Sequence, residues 1–194
     1  MKLPGTARIL AGFSPWIVFW VLSGPAAAGA GLAAAAVLNL WRVRRRNFKA
    51  LELITLGFFA AHFTCTFLLG SSFFLDYGPI LSGITLAGTA WGTLLAGSPF
   101  TIQYAREGWD PEYWNDPLFL RINNIITAAW GAIFTFRAGL AGAAILFPGS
   151  AASKPWAAAL SAAALAAGVI VSVRFPEWYI RRYLGETGEE ENEG

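Results

Sequence analysis

Six apolar runs, at residues 10–23, 26–41, 51–70, 80–96, 118–147 and 156–173, leave only short polar stretches between them. About 20 apolar residues in a helix cross the hydrocarbon core of a bilayer. In lipid every backbone N–H and C=O must be satisfied inside the protein, so such runs are helical. The fold class predicted is all-α: a polytopic transmembrane helix bundle of six spans, or of five if the first is cleaved or re-entrant. Charge supports lipid as the solvent. Only 13% of the 194 residues are Asp, Glu, Lys or Arg, with 56% hydrophobic, where a soluble domain carries roughly 25% charged residues. A net charge of +2 gives no bulk basicity that would argue for nucleic acid. Cys65 is the one cysteine, so no internal disulfide forms.

The first run ends at Gly24 and Pro25, which break a helix. Its basic start, apolar centre and following AAAGA also fit a secretory signal; the alternative is a retained span in a tight hairpin. The second run is rich in Ala and Gly, small enough for close helix approach in lipid. Residues 71–79 are expected as a loop around Asp76, Gly78 and Pro79. In the fourth run Gly83, Gly88 and Gly92, with Thr85, Thr89 and Thr93, predict a helix-packing face. The fifth run is long for a bilayer, about 45 Å at 1.5 Å per residue. After residue 173 come rings and cations of interfacial type, then an acidic stretch at 184–194 expected to be disordered.

Orientation follows from the cations. Arg42, Arg44, Arg45, Arg46 and Lys49 fall within nine residues, and short loops this basic stay in the cytoplasm. Alternation then puts both termini and residues 98–116 inside, with twelve of the fourteen basic residues. The same five side chains are candidate contacts for anionic lipid head groups, at about 1 kcal/mol per charge near the surface.

Three groups of residues could carry function. Arg137 lies well inside the fifth run, where a charge is expensive and marks function by default. Asn123, Thr127, Trp130, Phe134 and Arg137 recur in steps of four and three, hence on one helix face. Together with Asn124 and His62 they form a candidate polar intramembrane face for an anion, a substrate or a water path. The bland alternative is a structural arginine that snorkels or caps carbonyls. His62 is the only histidine, three residues from Cys65. It could relay protons, but metal binding needs three or four ligands and these are two. Residues 98–116 mix rings, amides and charges. Pro99 and Pro111 bound a short helix near 100–108, expected to lie along the interface. Pro99, Gln103, Tyr104, Arg106, Trp109 and Trp114 are its candidate cytoplasmic interaction residues. The carboxylates there pair with no nucleophile, and no phosphate loop, HExxH, CxxC or nucleophile elbow occurs. No catalytic set, cofactor or metal site is predicted.

The layout resembles the intracellular septation protein A family of bacterial inner-membrane proteins. The resemblance rests on FSPWIVF at residues 13–19, on WRVR at 41–44 ending the second run, and on PFTIQ at 99–103. An asparagine, Trp130 and Phe134 on the next helix complete it. The chain departs from the pattern in its acidic, aromatic connector at 105–117, in Arg137 and in its acidic tail. The resemblance implies a non-enzymatic role in the cell envelope, linked to septation through contacts with other membrane proteins. It singles out Pro99, Gln103, Asn124 and Trp130 without giving them a catalytic task. The expected partners are membrane lipids, envelope or division proteins and possible further copies of the chain. The alternative function is a small-molecule or ion transporter or channel built on the Arg137 face.

Overall fold

The computed structural model describes residues 12–22, 25–45 and 49–190, with the side chains at 41–45, 153 and 184–190 left out. The regular structure of those residues is all helical, with no strand among them. The order is α1 (Ser14–Val21), α2 (Pro25–Arg45), α3 (Ala50–Phe63), α4 (Phe73–Leu95), α5 (Phe100–Ala105), α6 (Pro117–Leu146) and α7 (Pro155–Glu190). A π-helical turn, Thr64–Leu68, extends α3, and 3₁₀ turns at Pro111–Asn115 and Ala151–Ser153 precede α6 and α7. The segments Ala50–Leu68, Pro117–Leu146 and Pro155–Tyr183 are long and apolar enough to cross a membrane, and Pro25–Leu40 is a shorter apolar helix.

Aromatic rings from the first run fill the middle of the bundle. Trp16 is fully buried against Phe58 and Phe59 of α3, at ring distances of 4.7 and 5.1 Å. Its indole N–H donates to Thr55 Oγ1 at 2.8 Å, giving a buried polar atom its partner. Phe13 stacks on Trp130 at 5.2 Å and lies 5.8 Å from Phe134. The run that could have been a signal therefore sits at the centre of the core.

Glycines let the long helices approach. A Cβ at Gly83 would lie 2.9 Å from the backbone of Ala138, so α4 and α6 touch main chain to main chain there. Gly131 does the same under the Trp91 ring, and Gly31 under Phe59. Such contacts favour small residues because van der Waals packing drives helix association in lipid. Gly88 and Gly92 meet nothing within 4 Å, so of the three glycines only Gly83 packs, while Thr89 is buried and Thr93 Oγ1 accepts the Phe100 N–H at 3.1 Å. The threonines bond along their own helix, Thr89 to the Thr85 carbonyl at 2.8 Å and Thr93 to the Thr89 carbonyl at 2.7 Å.

Two boundaries differ from expectation. α4 begins at Phe73, because Ser71 and Ser72 serve its first turn: Phe73 N–H donates to Ser71 Oγ, and Ser72 Oγ to Asp76 Oδ2. Pro79 is carried inside the helix, and the Ser82 hydroxyl donates to the Pro79 carbonyl at 2.9 Å. α7 runs on as helix to Glu190, into the stretch expected to be disordered, with residues 191–194 outside the described part. A helix already formed extends readily, and Glu is a good helix former.

Candidate functional site: a cavity around Arg137 and His62

The bundle has two unlike halves. In one, near the ends of α1, α3 and α6, a cavity of about 570 Å³ opens among Phe19, Trp20, His62, Ser82, Arg137 and Ser161. The rest of its wall is Ala, Leu, Phe, Gly and Pro, with no carboxylate. The volume falls in the range of small-ligand pockets. One turn deeper on α6 lies Phe134, and two turns deeper Trp130. These rings stack at 5.3 Å, and Phe13 stacks on Trp130 at 5.2 Å.

Arg137 is half-buried on α6. Its Nε–H donates to Ser161 Oγ on α7 at 2.7 Å, and its guanidinium lies 4.1 Å above the Trp20 ring. A cation over an aromatic face is favourable, more so when desolvated. A guanidinium has five N–H donors; the serine takes one.

His62, on α3, is 1% exposed, and neither Nδ1 nor Nε2 has a hydrogen-bond partner. Rings hold it instead: Phe74 stacks on it at 5.0 Å and Phe19 meets it edge-on at 5.6 Å. Trp20 Nε1 is likewise buried without a partner. Three unsatisfied polar atoms beside one void are unusual, since buried polar groups are almost always bonded. The π-helical turn begins two residues after His62, and such turns occur frequently at functional sites.

The predicted polar face is thus divided. Asn123, Thr127 and Trp130 point inward but serve helix packing. Asn123 Nδ2 donates to the Phe119 carbonyl at 2.9 Å, Thr127 shares a 2.7 Å hydrogen bond with Thr101, and Trp130 Nε1 donates to Ser172 Oγ at 2.9 Å. Asn124 is exposed on the other side of α6, along a groove of about 500 Å³ lined by Leu94, Pro99 and Ile102. It does not belong to the face, because adjacent residues in a helix point about 100° apart. Only Arg137 and His62 reach the cavity.

The opposite half holds a buried polar network. Lys49 heads α3 with its side chain 0% exposed, its Nζ 2.7 Å from Glu107 Oε1. The same Nζ donates to the Gln103 carbonyl at 2.9 Å and stands 3.8 Å above the Tyr104 ring. Tyr104 OH donates to Glu52 Oε1 at 3.1 Å, and Asn39 Nδ2 to the Glu52 carbonyl at 3.1 Å. Gln103 Oε1 accepts the Ala50 N–H at 2.8 Å.

This network corrects two expectations. Lys49 is not a head-group contact, because it is buried and paired. Arg46 and the side chains of Arg42, Arg44 and Arg45 lie outside the described residues. Residues 98–105 do not lie along a surface. Gly97, at φ 68°, reverses the chain after α4, and Phe100, Thr101, Ile102 and Tyr104 of α5 turn into the bundle. Tyr104 is fully buried and so offers no docking surface, Gln103 is spent on α3, and Pro99, itself buried, borders the groove beside Asn124. Of the expected interaction residues, Trp109 is 49% exposed, and Arg106 stacks on the half-buried Trp114 at 5.3 Å. Beside them, the hydrogen bond with Glu112 raises the Tyr113 phenol above its ordinary pKa.

Sequence reasoning missed Trp20, Ser82 and Ser161 at the cavity and the buried partners Glu52 and Glu107. A signal existed for Ser161, the one polar side chain in WAAALSAAALAAG. Among the described residues no three His, Cys, Asp or Glu gather as metal ligands. No family model, no curated protein and no solved structure matches the chain.

Proposed function

We propose that this is a six-span bacterial inner-membrane protein, with both termini cytoplasmic, that carries a small solute by way of the cavity around Arg137. The observation behind the proposal is that Arg137 and His62 share one carboxylate-free cavity inside an apolar bundle. A half-desolvated guanidinium with no counter-charge attracts anions. The buried Lys49–Glu107 network at the other end of α3 favours a carrier over an open channel. The role proposed is non-enzymatic. Flux of common anions into proteoliposomes tests it. Arg137→Ala should abolish the uptake, and no uptake of any anion by the unaltered protein overturns the proposal.

A second reading is an envelope or septation scaffold acting through protein contacts, as the family resemblance implies. It is supported by the exposed Trp109 and Tyr113 beside Glu112. Pull-down of division or envelope membrane proteins, lost in Trp109→Ala, is its test; recovery unchanged by that substitution removes the reading.

A further inference from the structure

The cavity specifies the chemistry of its occupant. Charge comes from Arg137 alone, with no carboxylate in the wall to neutralise it. Hydrogen-bonding capacity comes from four points: the remaining guanidinium donors, Trp20 Nε1, and the two nitrogens of His62. The guanidinium, Trp20 Nε1 and the one N–H of a neutral His62 gain from an occupant with several acceptors, as an anionic headgroup has, while the other His62 nitrogen accepts. Apart from Ser82, whose hydroxyl donates to the Pro79 carbonyl, and Ser161, which accepts from Arg137, the rest of the lining is apolar: Leu22, Leu140, Ala144, Ala158, Leu165 and the Phe74 ring among it. A fully hydrated inorganic ion would leave that wall wet, and burying apolar wall against an apolar body is favoured at roughly 25 cal/mol per Å².

We propose that the cavity binds an amphipathic organic anion, a carboxylate or phosphate monoester on a compact apolar body. Arg137 takes the charge, and His62 and Trp20 bond the headgroup's other oxygens. Arg137 is oriented for this by Ser161 Oγ and by the face of Trp20, which leave its terminal nitrogens to the ligand. This rests on the cavity being a ligand site, as proposed above, and adds the ligand class. Such a molecule comes either from the bilayer, as a single-chain lipid, or from water, as an aromatic acid. The headgroup chemistry is the same for both.

The experiment uses the full chain in neutral detergent and follows tryptophan fluorescence, since Trp20 lines the site. The probes are dodecanoate, phenyl phosphate, inorganic phosphate and dodecyltrimethylammonium. Saturable binding of dodecanoate or phenyl phosphate is expected, at least tenfold tighter than inorganic phosphate and absent for the cation. Preference for dodecanoate assigns the bilayer source, and preference for phenyl phosphate the aqueous one. Arg137→Gln and His62→Leu should each weaken binding tenfold or more, while Arg137→Lys keeps part of it. The comparison of anion with cation needs no variant, so it stands even where a substitution disturbs folding. Equal binding of the cation overturns the proposal. Inorganic phosphate binding as tightly as the amphiphiles overturns the ligand class but leaves the carrier reading intact. No binding of any anion removes both.

Discussion

Trp16 shows how single polar atoms order an otherwise greasy core. Its ring is held by aromatic contacts that many orientations could supply, but its N–H has one acceptor, Thr55 Oγ1. Thr55→Val keeps the shape and removes the acceptor, leaving a buried donor at a cost of about 1–3 kcal/mol. Thermal unfolding in detergent should show a lower Tm for Thr55→Val and a near-normal one for Thr55→Ser, whose hydroxyl remains. A Tm unchanged by the valine would mean that packing alone sets the indole. His62 is the opposite case: its ring is fixed by Phe74 and Phe19 while its nitrogens are left unbonded. That residue was conspicuous in the sequence as the one histidine. Its lack of partners was not, because those depend on helices brought beside it from elsewhere in the chain.

Helix contacts between elements divide the glycines into two kinds. Gly83 sits where α4 meets the Ala138 backbone, and Gly88 faces open space one and a half turns later. An added methyl should act oppositely at the two. Gly88→Ala gains helix propensity, up to about 1 kcal/mol. Gly83→Ala must push α4 from α6, and overpacking of this kind costs roughly 1–3 kcal/mol. Melting curves of the two variants should move in opposite directions; a shift of the same sign would contradict the close approach. Both glycines lie in one apolar run, and helical period alone gives them equal standing. The same limit explains the start of α4. Gly78 and Pro79 signal a break, yet Ser71 and Ser72 begin the helix two turns earlier and carry the proline within it. Asp116, by contrast, caps α6 as its Asp-Pro sequence allows: Oδ1 accepts the N–H of Leu118 at 2.7 Å and of Phe119 at 3.1 Å.

Among the described residues, the bundle has one end with a buried polar network and another with a charged cavity. The proposed orientation sets the connector before α6 in the cytoplasm and the loop before α7 outside. Asn115 and Lys154 are exposed at these two places. In a Cys65→Ser background, a membrane-impermeant thiol reagent added to spheroplasts should label Lys154→Cys and spare Asn115→Cys until the membrane is opened. Reversed labelling inverts the orientation and with it the side on which the cavity opens. At the polar end, the Lys49–Glu107 pair lies on Tyr104. Removing one member of a buried pair is strongly destabilising, at about 3–5 kcal/mol. The 21% exposure of Glu107 places this pair at the lower end of that range.

Hydrophobic run length and the scarcity of charge were enough to predict helices, three of them long and apolar enough to cross a membrane, and to single out Arg137 as a charge inside an apolar run, since these depend on local composition and on the cost of burying charge. Partnership between residues far apart in the chain was decided only by the tertiary structure. Lys49 becomes an internal cation because Glu107, fifty-eight positions on, folds back beside it. Arg137 faces a cavity because α7 brings Ser161 and α1 brings Trp20 to it. Run length and helical period describe one helix at a time, whereas a cavity is the space that several helices leave between them.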